Sequence, residues 1–271
     1  MIARQFLLLI FCVQFVGCGS GAPGGESSPP PDIPPGPIGQ LPSTTSRYVH
    51  FEGIWQGTAT PDDGSTTTRA IMLVNGWGEI RVLLDDAQLI GWGQRTATEF
   101  EATLTGIKMA GETWSDGSRN TSFEYTGTFD ENTSIEAVYS GDSDGGDLQI
   151  HRVTDAESSF LDAAYGTWAL FDENLNIAAT FNIEAFYRIS GSHSNGCVFL
   201  GEIDDWSSHL SYDIYEIEVS GCPLADGIDV NGTYVGTAAI FDVADDGTDE
   251  SGLIIALSND ENQLTYLLYR P

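Results

Sequence analysis

Four histidines are the side chains best suited to acid–base or metal chemistry, and they lie far apart along the chain: His50, His151, His193 and His209. No His-x-His or Cys-x-x-Cys spacing accompanies them, and no Gly-x-Ser-x-Gly segment supplies a nucleophile. His193 lies in the polar segment 191–194, which favours a turn residue over a catalytic base. The sequence therefore predicts no catalytic residue, no metal site, no cofactor and no enzyme.

Two aspartate-rich segments with glycine could gather oxygen ligands for calcium. Their carboxylates are Asp142, Asp144 and Asp147 in the first and Asp242, Asp245, Asp246 and Asp249 in the second. Neither segment completes an EF-hand loop, which needs ligands at positions 1, 3 and 5 and a glutamate at position 12. Solvated turns are the preferred interpretation, and calcium binding stays open.

The N-terminus carries a chemically distinct cysteine, Cys18, directly after Gly17. A basic start at Arg4 and an apolar run over 6–16 precede it. As a helix this run would rise only about 16 Å, roughly half the hydrocarbon core of a bilayer, so it is too short for a transmembrane anchor. The pattern predicts a cleaved signal peptide at residues 1–17 that ends in a lipobox, although the usual leucine is replaced by Phe15. An ordinary secretory signal with an incidental cysteine is the alternative.

A tether is predicted at residues 18–47, which are rich in glycine, proline and serine. Such a segment cannot form a packed core and is part coil and part extended polyproline helix. The N-terminus resembles bacterial lipoproteins in general, whose disordered spacer follows a lipidated cysteine. The resemblance implies a diacylglycerol and palmitate anchor on Cys18 and, because Gly19 rather than aspartate follows it, attachment to the outer membrane.

The remaining thiols, Cys197 and Cys222, are predicted to form one disulfide. They flank strand-like runs at 198–203 and 212–219, and a hairpin centred between residues 209 and 210 would bring them opposite each other. Free buried thiols are the alternative, which an oxidising compartment disfavours. A zinc half-site is a further alternative that lacks a second ligand pair nearby.

Charge narrows the classes of partner. The chain has 40 acidic and 10 basic residues, a formal net charge of −30. Such a charge repels nucleic acid phosphates and anionic lipid head groups, so neither is an expected partner. A salty habitat, in which the Debye length falls to about 3 Å at 1 M, would suit this surface. Attraction of cationic partners or calcium is the other interpretation.

Short alternating runs separated by glycine and aspartate turns predict an all-β fold with sixteen strands. Eight lie in a first domain, residues 48–154: 53–60, 69–75, 78–84, 88–93, 97–106, 121–128, 134–140 and 147–153. Eight lie in a second domain, residues 165–271: 166–171, 177–184, 186–191, 196–203, 212–219, 232–241, 252–258 and 263–269. A capping-box pattern from Thr154 to Glu157 predicts a short linker helix, 155–164.

Both domains share landmarks at their ends, which indicates an internal repeat. Each opens with a Gly-x-Trp sequence, at Trp55 and Trp168, and closes with an arginine, Arg152 and Arg270. Closing each sheet into an antiparallel up-and-down barrel would place its last strand beside its first and remove the exposed edges. A guanidinium could then stack on the indole, a cation–π contact of about 0.5–2 kcal/mol.

At these residues the chain resembles the calycin-like barrels, the lipocalin neighbourhood, in which a Gly-x-Trp on the first strand meets an arginine on the last. The second half is also similar to uncharacterised barrel-like lipoproteins of proteobacteria, and these carry no assigned activity. A second match, 53–59 with 232–238, is interpreted as a common strand motif. The resemblance implies eight-stranded barrels and little about function.

Two functions are consistent with this sequence. In the first, a non-enzymatic envelope lipoprotein, held by its lipid at the cell outer membrane and either periplasmic or surface-exposed, binds a protein or polymer. In the second, one barrel carries a small apolar ligand, because an eight-stranded barrel is either just filled or holds one small molecule. Inward aromatic residues favour filled barrels: Phe181, Phe186, Tyr187, Phe199 and Tyr215.

Overall fold

The computed structural model describes residues 51–64, 66–75, 78–130, 133–142, 144–153, 164–172, 174–184, 188–204, 212–242 and 251–271. Cys18, the predicted tether and the predicted linker helix, apart from Ala164, lie outside these residues. Within the described ranges, no helix is long and apolar enough to cross a membrane.

The first eight strands form a closed antiparallel barrel in which each strand pairs with the next and β8 returns to β1. They are β1 (Gly53–Pro61), β2 (Thr68–Val74), β3 (Glu79–Leu83), β4 (Ala87–Arg95), β5 (Glu99–Lys108), β6 (Asn120–Asp130), β7 (Ser134–Gly141) and β8 (Gly145–Arg152). We call this barrel 1.

The second eight strands form another closed antiparallel barrel, barrel 2, with β9 lying between β10 and β16. They are β9 (Gly166–Phe171), β10 (Ile177–Glu184), β11 (Arg188–His193), β12 (Val198–Asp204), β13 (Tyr212–Ser220), β14 (Gly232–Asp242), β15 (Ser251–Ser258) and β16 (Gln263–Tyr269). The all-β fold with two consecutive eight-stranded barrels is therefore confirmed.

Alternation of side chains along each strand explains why the barrels form. On β5, Phe100, Ala102 and Leu104 are buried, whereas Glu99, Glu101 and Thr103 are exposed. Successive side chains of a strand point to opposite faces, so this pattern places one apolar set inside the barrel and one polar set in water. Both ends of β5 lie two residues beyond the predicted 97–106.

A Gly-x-aromatic motif starts three of the strands. Gly53, Gly166 and Gly232 have φ values of 146°, 116° and 150°, a region that favours glycine. The aromatic residue two positions later donates a hydrogen bond to the carbonyl four residues before it: Trp55 to Phe51 at 3.2 Å, Trp168 to Ala164 at 2.8 Å and Tyr234 to Val230 at 2.8 Å. The match between 53–59 and 232–238 is therefore a local motif at a strand start.

The two barrels close differently. In barrel 1, β1 and β8 pair over seven residues, from Trp55↔Arg152 to Pro61↔Gly146. The strands approach so closely that a Cβ on Gly57 would lie 2.0 Å from the Gln149 carbonyl oxygen. In barrel 2, β9 and β16 share one pair, Tyr269↔Ala169. The second seam is therefore the shorter in paired residues.

The outer walls of the barrels pack against each other. An apolar cluster joins Ile54, Leu73, Leu83 and Val153 of the first half to Ala239, Ile254 and Ala256 of the second. On β15 this leaves both faces buried, because Ile255 points into barrel 2 and Ile254 points toward barrel 1. Burial of these apolar side chains between the two walls holds the barrels together.

Candidate functional site

The arginines at the barrel ends lie over the tryptophans of the first strands. The Arg270 guanidinium carbon is 4.3 Å from the Trp168 ring centroid, and that of Arg152 is 5.9 Å from Trp55. Each guanidinium also donates to a backbone carbonyl, Arg270 to Tyr165 at 3.2 Å and Arg152 to Glu52 at 3.0 Å. Both indoles are fully buried, so these pairs hold the barrel ends together rather than facing a ligand.

Cys197 and Cys222 form the expected disulfide, with Cα atoms 4.2 Å apart. The register differs by one residue from the expected hairpin, because β12 and β13 pair Val198 with Ser220. Cys222 therefore lies beyond the end of β13, where its backbone N–H donates to the Asn231 side chain at 2.8 Å. The bond joins the start of β12 to the loop that follows β13.

The interior of barrel 1 is occupied by aromatic rings in contact. At one end Phe51, Trp55, Phe100 and Phe129 have centroids 5.8–6.4 Å apart. A second group lies among Trp114, Phe123, Tyr125 and Tyr139, at 4.9–5.7 Å. Small and branched residues, including Ala102, Leu104 and Ile150, fill the space between the strands.

The interior of barrel 2 is built around Phe181, Phe199 and Tyr266, whose ring centroids are 4.9–5.4 Å apart. The inward positions predicted for Phe181 and Phe199 are therefore confirmed. Phe186 and Tyr187 lie outside the described residues, as does the side chain of Tyr215.

Burial suppresses acid–base chemistry of the interior tyrosines. Desolvation raises the pKa of Tyr139 to about 12, and the charges of Asp62 and Asp144 add to this rise. Desolvation likewise raises the pKa of Tyr125 and of Tyr266. These phenols stay protonated at neutral pH and act as packing groups.

A buried polar network between the barrels was not anticipated from the sequence. Gln88 of β4 has no exposed surface, and its Nε2 donates to Gln263 Oε1 at 3.0 Å and to Thr265 Oγ1 at 2.7 Å. Arg81 of β3 donates to Ser258 Oγ at 2.9 Å and pairs with Glu79 at 3.3 Å. Polar contacts inside an apolar interface fix the relative register of the packed walls.

Most basic side chains serve internal contacts. Arg95 lies 4.1 Å over Phe129, Lys108 pairs with Asp86 beneath the Trp114 ring, and Arg119 binds Asn262 across the interface. Arg81, Arg152 and Arg270 make the internal contacts described above. The other basic residues of the described ranges are Arg69 and Arg188, and both are exposed. The outer surface of the described body is therefore strongly anionic.

The remaining candidate residues do not converge. His151 lies exposed on β8, and His193 Nδ1 accepts a hydrogen bond from the Asn195 N–H at 3.1 Å, as in a turn. His50 and His209 lie outside the described residues. Asp144 accepts a bond from the Ser115 N–H at 3.1 Å, and most of 242–249 is outside the described ranges. Among described residues, no group of three or more His, Cys, Asp or Glu is arranged to hold a metal ion.

An open polar cleft lies at the disulfide end of barrel 2, between the loop 221–231 and the β15–β16 turn. Its lining includes Asp229, Asn231 and Asn262. Backbone and side-chain N–H groups of Asn231 hold the pKa of Asp229 below its usual range. Asn262 Nδ2 donates to the Asp229 carbonyl at 3.1 Å, and this hydrogen bond joins the β15–β16 turn to the loop 221–231.

The chain matches no protein-family model, no curated protein and no solved structure.

Proposed function

We propose that the protein is a non-enzymatic envelope lipoprotein that presents a rigid two-barrel body on a lipid-anchored tether and binds a protein or polymer through its outer surface. The observation that carries this proposal is the occupation of both barrel interiors by the chain's own aromatic side chains. A filled barrel offers its walls and loops for recognition rather than a cavity.

Carriage of an apolar ligand is less well supported. In barrel 2, the Phe181, Phe199 and Tyr266 rings meet at the positions that a small apolar ligand would take. Protein interiors are close-packed, so a ligand there would have to displace these rings.

Anchoring is tested at Cys18, the proposed lipid site. We expect Cys18→Ala, or treatment with globomycin, to stall processing or release the chain from the membrane fraction, because the proposed lipid on this residue holds the chain at the membrane. The measurement is fractionation of host membranes with mass spectrometry of the N-terminal peptide. A Cys18→Ala chain that stays in salt-washed membranes would contradict the anchor.

Binding is tested on the full protein purified from its host envelope. Native mass spectrometry should show no apolar molecule retained at stoichiometric amount, and in-cell cross-linking should capture an envelope partner through outer-wall positions. As a matched pair, Phe181→Leu inside barrel 2 should leave cross-linking intact, whereas outer-wall substitutions should reduce it. A stoichiometric apolar ligand released by denaturation would instead establish the carrier function.

A further inference from the structure

We infer that the outer face of β12 and β13 binds an extended polypeptide segment of a partner, which presents two apolar side chains followed by a basic one on the face in contact. This inference rests on the proposed binding function and names the partner's chemistry. The face consists of Val198, Leu200, Glu202, Glu216 and Glu218, which we call the β12–β13 face.

Two large apolar side chains lie exposed on neighbouring positions of this face. Val198 is 49% and Leu200 60% exposed, and both point away from the filled interior. On a strand, side chains two residues apart lie about 7 Å apart on one face. Val198 and Leu200 therefore form a short apolar stripe along β12.

Carboxylates lie next to this apolar stripe, at paired positions of β12 and β13. Glu218 lies directly opposite Leu200, and Glu202 lies directly opposite Glu216. Directly opposed side chains have Cβ atoms about 4.5–5.5 Å apart, and like charges in such a pair repel. A cation placed between Glu202 and Glu216 would relieve that repulsion.

The surroundings offer little compensating charge. Arg188 of β11 lies opposite both Glu202 of β12 and Glu184 of β10, so this one guanidinium is shared between two carboxylates. The Arg81–Glu79 and Lys108–Asp86 salt bridges both lie in barrel 1. Charge complementarity therefore favours a basic occupant over a nucleic acid or an anionic membrane.

A disulfide constrains one end of this face, and barrel 1 packs against other strands of barrel 2. The disulfide ties the start of β12 to the loop after β13. The packing against barrel 1 uses β14, β15 and β16, through residues that include Ala239, Ile254 and Gln263. A preorganised surface lowers the ordering cost of binding, which suits recognition of a flexible segment.

The spacing specifies the occupant. An extended chain running along β12 repeats its same-face side chains about every 7 Å, so two apolar residues would cover Val198 and Leu200 while the next same-face residue reaches the Glu202–Glu216 pair. A basic residue at that third position would complete the match. The expected segment therefore reads apolar, apolar, basic at alternate positions.

The test uses the full chain and a short synthetic peptide with leucine, leucine and lysine at alternate positions, measured by calorimetry at low salt. We expect Leu200→Ser and Glu216→Gln each to weaken binding by about tenfold, about 1.4 kcal/mol, and binding to weaken as salt is raised. A peptide with glutamate in place of lysine should not bind.

The matched control lies on β7 of barrel 1. Val138 is 55% exposed beside Glu136, but Glu136 faces Gln149 and Thr128, and the next same-face residue is Ser140. Val138→Ser and Glu136→Gln should leave peptide affinity unchanged. Equal losses from both pairs of variants, no binding at low salt, or binding insensitive to Leu200→Ser would each overturn the inference. A partner cross-linked only through another surface would also overturn it, while leaving the proposed function standing.

Discussion

Trp168 and Arg270 form the closer of the two pairs at the barrel ends, 4.3 Å against 5.9 Å for Trp55 and Arg152. We expect Trp168→Ala to cost about 3–5 kcal/mol, because a fully buried indole is lost, and Arg270→Ala about 0.5–1 kcal/mol, because its guanidinium is exposed. The double mutant should cost less than the sum, by about 0.5–1 kcal/mol.

Denaturant unfolding of the single and double mutants measures this coupling. The control combines Trp55→Ala with Arg270→Ala, which belong to different barrels and should add within about 0.5 kcal/mol. Additivity within the Trp168–Arg270 pair would show that the contact contributes no stability of its own.

Tyr139 predicts how stability changes in alkali. Its folded-state pKa of about 12 exceeds the ordinary value near 10, so the unfolded chain loses the proton first. The contribution is complete below about pH 10 and is lost as the pH rises to about 12. A pKa difference of about two corresponds to at most about 2.7 kcal/mol, which solvent screening reduces.

The check is denaturant unfolding across pH 9–12, compared between the unchanged chain and Tyr139→Phe. The variant should lose stability less steeply, because one raised pKa has been removed. Tyr125 and Tyr266 should leave a residual slope in both proteins. Identical slopes would contradict the assignment to Tyr139.

Among neighbouring strands of the two barrels, β9 and β16 share the fewest paired residues. Their seam has one residue pair where the β1–β8 seam has seven, so fewer backbone hydrogen bonds must break for it to open. We expect amides of β9 and β16 to exchange with solvent faster than those of β1 and β8. Hydrogen exchange followed by mass spectrometry checks this, and equal protection at both seams would refute it.

The positions of the strands could be predicted because the alternation of apolar and polar residues is a local signal within each strand. The register between two strands is not a local signal. The strands carrying Trp55 and Arg152 were anticipated from period-two patterns, and the pair forms in the structure. The β12–β13 register was one residue off because the prediction placed Cys197 directly opposite Cys222, whereas β13 ends at Ser220 and Cys222 lies in the loop beyond it. A bulge between Glu202 and Ile203 shifts the pairing by a further residue toward the hairpin turn, and no residue type indicates such a bulge. The shortness of the β9–β16 seam, which has one residue pair, is likewise not indicated by any residue type in the sequence.

At the level of the whole molecule, the contact between the barrels was the main feature missed. Polar residues on outward positions, such as Arg81 and Gln88, were indistinguishable from solvated ones in the sequence, yet both are buried. One signal was present: the uninterrupted apolar run 253–257 on β15 is typical of a strand covered on both faces. Which surface covers the second face depends on the assembled fold and could not be inferred from the strand itself.

Because that contact is buried and apolar, the two barrels should unfold together. We expect one cooperative transition for the unchanged protein, with exchange of amides in both barrels governed by the same global opening. Ile254 and Ile255 provide a matched pair on β15, since one faces barrel 1 and the other the interior of barrel 2.

Ile255→Ala should lower stability by about 2–5 kcal/mol while the transition stays single, because only the packing inside barrel 2 is lost. Ile254→Asp should instead place a charge in the interface, where its desolvation disfavours docking of the barrels and leaves each interior intact. The transition should then split in two, with barrel 1 and barrel 2 amides exchanging through separate openings. Calorimetry and hydrogen exchange on the same samples decide the matter: two transitions in the unchanged protein, or a single one in Ile254→Asp, would mean that the interface does not couple the barrels.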